Sequence, residues 1–231
     1  MNISLRCCHT FMRIIMIKIN KIKEPEILEL NCDQWTKDYL EYKNGRPGYT
    51  KTTEGKYRHR DIKEALIKET SGKCVYCESK ILSVSDGDIE HILPKSKHYN
   101  LCFEWKNLTL ACRICNREKS DYYSQNYPLV NPYTEDPTDH LHFAGALLIA
   151  LSAKGKITLE EMKLNRLELL ESRQRYLQKL ESITIMINQS DEELKEILFK
   201  DLLSYCDEDR EYSAMMKVYV ETIQQKLTKV N

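Results

Sequence analysis

Apolar residues in the first third of the chain fall at helical spacing in two stretches. Gln34 to Tyr42 places Trp35, Tyr39 and Leu40 on one side of a helix. Asn44-Gly45-Arg46-Pro47-Gly48 breaks it. His59 to Thr70 sets Ile62, Ala65, Leu66 and Glu69 on the three–four step, with Gly72 as a C-terminal stop. Upstream, residues 16–30 read as a short strand with an extended lead-in.

The middle of the chain changes period. Residues 73–121 read as a knuckle, a strand, a loop, a second strand, a second knuckle and a helix. Asp86-Gly87 is a turn signal that leads into Glu90-His91. Asn107-Leu108-Thr109-Leu110-Ala111 is a short strand, and Ile114 to Ser120 starts a helix. Pro128, Pro132 and Pro137 mark an irregular crossover. His140 to Ile157 carries two apolar runs around Ala153-Lys154-Gly155-Lys156 and reads as a hairpin, with a helix over Leu147 to Leu151 as the alternative.

From Thr158 onward the pattern is helical. Leu164, Leu167, Leu170, Leu177, Leu180, Ile183 and Ile187 share one face. Leu194, Ile197, Leu198 and Leu202 follow, then Met215, Tyr219, Ile223 and Leu227. The expected class is therefore α+β, with a small two-stranded core inside a mainly helical frame.

At 231 residues the chain can form one large domain or two small ones, and a 42% hydrophobic fraction suffices for a core. No run of about 18 apolar residues occurs, so no membrane span is expected. Arg6, Arg13 and Lys18 interrupt the apolar N-terminus, which does not read as a secretory leader. Met12 and Met16 offer alternative starts. Residues 1–15 are expected to be a non-native or disordered extension, and their Cys7, Cys8 and His9 an incidental metal cue. A cytoplasmic location follows as an expectation from the absence of a targeting signal.

Net charge is zero, but its distribution is uneven. Residues 43–73 hold nine Lys/Arg against four Asp/Glu, and residues 91–120 hold six against two. Residues 157–231 hold eleven against fifteen. Positive charge thus gathers around the middle region, as phosphate binding requires. A solvated surface with chance asymmetry accounts for the same counts.

Two C-x-x-C pairs, Cys74–Cys77 and Cys112–Cys115, stand 34 residues apart. Such a turn sets two thiolates on one side of a tetrahedral zinc, and two turns close the site. With four sulfur ligands no position remains for water, so the zinc is structural. A redox reading needs a thioredoxin-like βαβ pattern, which is absent. Cys32, Cys102 and Cys206 stand alone and read as buried small hydrophobes.

Between the knuckles lie Asp88, Glu90 and His91, followed by Asn107 and Asn116. Hydrolysis of a phosphodiester needs a base to activate water and a cation for the charge that builds on phosphate. His91 suits the base. Glu90 and Asn116 offer hard oxygen ligands for Mg²⁺ or Mn²⁺, with Asp88 as the competing ligand. On a regular strand Glu90 and His91 face opposite ways, so a bulge or bend is required for one site to use both. Asn107 reads as a residue that orients the loop carrying His91. Lys95, Arg117 and Lys119 are the candidate phosphate contacts.

These motifs resemble the HNH (ββα-metal) nucleases. The matching pieces are CVYC, Asp88 to Pro94, WKNL at Trp105 to Leu108 and CRICNREK at Cys112 to Lys119. The resemblance implies a zinc-stapled ββα-metal core, with His91 activating water, Asn107 supporting the loop and Asn116 holding the metal. An asparagine at the last position is similar to the HNH domain of CRISPR effector nucleases, where the acidic residue before the histidine is a ligand; this favours Glu90 over Asp88. CVYCE, IEHILPKS, NYPLVNPYTEDP and LNRLELLESR further resemble the retron- and Septu-associated, PtuB-like HNH nucleases.

That closer resemblance implies an antiphage effector acting on DNA beside an ABC/SMC-like, PtuA-like ATPase. In some systems a retron reverse transcriptase with its RNA–DNA takes part. The expected organisation is an N-terminal helical segment at 16–72, the nuclease core with zinc knuckles at 73–137, and a C-terminal hairpin and helical region at 138–231 as a docking candidate. Two other readings stay open: an RNase effector of the same fold, for example one cleaving tRNA, and a non-catalytic zinc-knuckle binding module.

Overall fold

The computed structural model describes residues 18–82 and 85–228 of the chain, with side chains to residue 225. The expected N-terminal extension, with Met12, Met16, Cys7, Cys8 and His9, lies outside the described residues, as does the side chain of Leu227.

The N-terminal third is helical. Pro25 precedes α1 (Glu26–Lys43), whose first turn carries Glu26 and Glu29 against the helix dipole. No strand forms over the described part of 16–30, contrary to the sequence expectation. Proline at the cap fixes an extended backbone there, and the chain then goes directly into helix. A 3-10 segment, Lys51–Arg58, and α2 (Arg60–Glu69) follow. Ser71 and Gly72 both take positive φ after α2, which turns the chain sharply into the first knuckle.

Strands β1 (Asp88–His91) and β2 (Leu108–Ala111) pair antiparallel, with Asp88 opposite Ala111 and His91 opposite Leu108. Helix α3 (Arg113–Lys119) returns across β1. Helix α2 packs on β2, and its Ile62 and Leu66 are both buried. Leu28, Tyr39, Phe103 and Trp105 extend this core under α1.

The C-terminal part begins with a hairpin, β3 (Leu141–Ala144) and β4 (Leu147–Ala150). Its turn is Gly145-Ala146, not the expected Ala153–Lys156. Gly145 alone has positive φ, the pattern of a type II′ turn. Ala153–Lys156 instead opens α4 (Ala153–Glu161), capped by the Ser152 hydroxyl accepting from the Gly155 N–H. Gly155 is required for packing: a Cβ there would stand 1.9 Å from the His140 carbonyl oxygen.

The long helical run expected from Thr158 is divided. Lys163 takes positive φ and ends the α4 segment, and α5 (Leu167–Gln189) starts afresh. This rotates the apolar face: Leu167 is 67% exposed, whereas Leu169, Leu177, Leu180 and Ile187 are buried. Helices α6 (Glu192–Ser204) and α7 (Ser213–Thr228) complete the fold. The class is α+β, a small sheet-and-knuckle unit set among helices.

Candidate active site

The two knuckles converge. The sulfur atoms of Cys74, Cys77, Cys112 and Cys115 all lie within 4.8 Å of one another. Cys77 and Cys112 Sγ are 3.9 Å apart. Four sulfurs on a zinc at about 2.3 Å would be separated by about 3.8 Å, so the donor set fits a tetrahedral zinc. Cys112 also caps α3, its Sγ accepting from the Cys115 N–H. The four-cysteine cluster therefore sits where β2 turns into α3. Of the remaining cysteines, Cys102 is buried, which pushes its thiol up to about 12, and Cys206 is raised to about 11 by burial. Both are protonated and inert at neutral pH.

His91 closes β1 and is 5% exposed. Its Nε2 is 2.9 Å from the Cys102 carbonyl oxygen. A carbonyl only accepts, so Nε2 carries the hydrogen and Nδ1 keeps its lone pair. Burial, with Lys95 and Lys119 nearby, lowers the imidazole to about 4 against a weaker opposing pull from the Cys102 bond. The ring is neutral at pH 7, the form a base requires. The Tyr57 ring stands edge-on to it with centroids 4.7 Å apart.

Asn107 holds the loop on both sides. Its Oδ1 accepts from Leu93 N–H at 2.8 Å, and its Nδ2 donates to the carbonyls of Leu93 and Leu101. The Leu93 and Leu101 ends of the loop that carries the Cys102 carbonyl are thereby fixed to the start of β2. Any shift of this amide would move the hydrogen-bond partner of His91.

Asp88 and Glu90 occupy the opposite face of β1 from His91 and look toward α3. Register runs unbroken from Asp88 to His91, so no bulge brings Glu90 round to the histidine. Asn116 Nδ2 donates to Asp88 Oδ2 at 2.9 Å. Glu90 is buried, which raises its carboxyl, while Lys119 acts against that rise. These oxygens are suited to a hard divalent ion, provided the Asn116 and Lys119 contacts yield to it. The structure thus brings Asp88 to Asn116, but pairs Glu90 with Lys119.

Lys119 corrects an expectation. It is 2% exposed, donates to Glu90 Oε1 at 2.6 Å and to the His91 carbonyl at 2.8 Å, and so reaches no phosphate here. Lys95 is likewise engaged by Glu54. Arg117 lies on the surface, bound to Glu118. Lys119→Met is expected to cost about 3–5 kcal/mol, because it leaves a buried carboxylate unpaired. Adding Glu90→Gln should recover much of that loss in chemical denaturation; a double variant no more stable than the single one would contradict the pairing.

Sequence reasoning missed Tyr57, Glu54 and the Cys102 carbonyl. Tyr57 sits in a polar 3-10 segment with no apolar periodicity, and a backbone carbonyl leaves no trace in residue type.

Residues 74–122 match the family model for HNH endonucleases. Over 108 residues the chain is 36% identical to the Septu protein PtuB of Bacillus thuringiensis, covering 46% of this chain and 42% of that protein. It is 29% identical over 220 residues to the Septu protein PtuB of Bacillus mycoides strain KBAB4, covering 79% of this chain and 74% of that relative. The first match therefore spans less than half of its relative's length.

Proposed function

We propose that this chain is an HNH endonuclease of the PtuB-like kind and hydrolyses phosphodiester bonds in DNA as the nuclease of a Septu-type antiphage system. The observation that carries the reading is the locked tautomer of His91: Nε2–H is held by the Cys102 carbonyl, which leaves Nδ1 to take a proton from water. Asp88, Glu90 and Asn116 would hold the Mg²⁺ or Mn²⁺, with Glu90 favoured over Asp88 by the family pattern; because Glu90 and Asp88 lie on the face of β1 opposite His91, a shared site requires the end of β1 to bend when the ion and substrate bind. When bound, that ion supplies charge for the phosphate and the leaving oxygen.

Around this centre the chain's own residues position and exclude. Asn107 fixes the loop, Tyr57 covers one side of the imidazole, and Lys119 ties β1 to α3. Lys95 and Arg117 are the cations that would meet phosphate, once Lys95 leaves Glu54. Contacts to phosphate rather than to bases imply weak sequence preference and strong salt dependence. Zinc on the four cysteines acts as a structural clamp.

The nuclease unit is read as 73–137, with 16–72 as its helical support. The region 138–231 is read as the part that meets a PtuA-like ATPase, with a retron reverse transcriptase and its RNA–DNA as the alternative setting. Exposed Ile185, Met186 and Ile197 offer apolar contact there. No helix among the described residues is long and apolar enough to cross a membrane. A nuclease directed at phage DNA beside an ATPase would work in the cytoplasm.

Purified protein, with and without its ATPase partner, should be incubated with phage DNA and total RNA over a Mg²⁺ series. DNA products are expected, and Asn116→Ala should need about tenfold more Mg²⁺ for half-maximal rate. An unchanged metal titration would remove Asn116 from the ligand set, and cleavage confined to RNA would overturn the DNA assignment.

A further inference from the structure

The four-cysteine cluster lies on the seam between the nuclease unit and the C-terminal helices. On one side, the start of α7 grips the first knuckle: the Ala214 N–H donates to Glu78 Oε2, and the Tyr212 hydroxyl meets Ser79 Oγ at 2.9 Å. On the other, Arg166 stands at the N-terminus of α5 beside the second knuckle. Its Nη1 is 3.6 Å from Cys115 Sγ and 3.4 Å from the Lys163 carbonyl oxygen. Its Nε is buried without a hydrogen-bond partner.

Arg173, seven residues on, is 1% exposed on the same side of α5. Its Nη1 donates to the Leu164 carbonyl at 2.9 Å, its guanidinium lies 5.1 Å from the Phe143 ring centroid, and its Nε is also buried without a partner. Cations placed away from water need an answering negative charge. Four neutral thiols give none. Four thiolates around one zinc carry two negative charges beyond those of the metal. N–H donors to such sulfurs draw off charge and favour the deprotonated ligand.

We propose that Arg166 is the outer-sphere partner of the zinc–thiolate cluster, with Arg173 as a second cation behind it, so that metal loading fastens α5 to the nuclease unit. Arg166 is a positioning residue, and the proposal rests on the zinc reading given above. It makes the cluster a joint as well as a staple: the region read as partner-facing and the β2–α3 corner share one metal-dependent contact.

The test uses the full chain as purified with zinc. Zinc loss to a chromophoric chelator is followed for wild type, Arg166→Gln, Arg166→Lys and, as an exposed arginine of the same helix, Arg175→Gln. Arg166→Gln should lose zinc about tenfold faster or more, Arg166→Lys should fall between, and Arg175→Gln should match wild type. In parallel, hydrogen exchange on wild type before and after zinc stripping should rise in the first two turns of α5. Equal zinc retention in Arg166→Gln, or α5 exchange unmoved by stripping, overturns the proposal while leaving the zinc reading intact. Wild-type protein without zinc overturns both. Should Arg166→Gln fail to fold, the exchange comparison on wild type decides alone.

Discussion

Cys112→Ser is expected to remove zinc and with it the cooperative fold of the nuclease unit. Cys112 contributes one of four sulfurs, caps α3 and directly follows β2. Losing it frees both the β2–α3 corner and the first knuckle. Zinc contributes roughly 10–16 kcal/mol of apparent folding free energy in small modules, comparable to the whole stability of a typical domain. The helical core around Leu28, Ile62 and Leu177 will retain part of the structure, so the observable loss is smaller than that figure. Even about 4 kcal/mol lowers the melting temperature by roughly 8–16 °C for a chain of this size. Zinc content and a thermal melt check this together. A variant that melts with wild type would contradict the clamp.

His91→Ala should lower cleavage by about 10²–10⁴-fold while the protein stays folded and zinc-loaded. The imidazole is buried, so truncation opens a cavity and costs some stability. Its neighbours are the Cys102 carbonyl and the Tyr57 ring rather than the zinc-binding sulfurs, so metal content should hold. The pH profile adds a sharper sign. Burial lowers His91 to about 4, below its ordinary 6.5. The base form therefore persists as pH falls through 6.5, and the acidic limb of kcat/KM should lie nearer 4 than 6.5. Stability follows the same linkage. The depressed folded value leaves the histidine contribution complete above 6.5 and erodes it as pH falls toward 4. An acidic limb centred near 6.5 would show that the imidazole titrates in water-like surroundings.

Much of this site was legible because its chemistry is carried by rare residue types at fixed spacing. Two C-x-x-C pairs permit few arrangements, and the structure brings their four sulfurs together. The strand around Glu90 was legible from the Asp86-Gly87 turn and the one around Leu108 from the short run Asn107 to Ala111. What failed had a common cause: tertiary contacts reassigned residues whose local signal was ambiguous. Gly155 looked like a turn residue but is glycine because the His140 carbonyl occupies the space of a side chain. Leu167 fitted a helical stripe that Lys163 then rotated out of register. Lys119 read as a phosphate contact, and only the fold reveals that Glu90 stands opposite it. The covering of His91 by Tyr57 depends on a segment over thirty residues upstream, a separation no local pattern reports.

Two kinds of metal are proposed to do two kinds of work, zinc as the clamp and a hard divalent ion, acting with the neutral His91, for the cut. Add-back to metal-stripped protein tests this most directly, with supercoiled DNA as substrate and circular dichroism in parallel. Zinc alone is predicted to restore the fold without cleavage, and zinc with Mg²⁺ or Mn²⁺ to restore both. Full cleavage with zinc alone, or cleavage by refolded protein with no divalent ion, would contradict the division of labour between the knuckles and the face of β1 that carries Asp88 and Glu90.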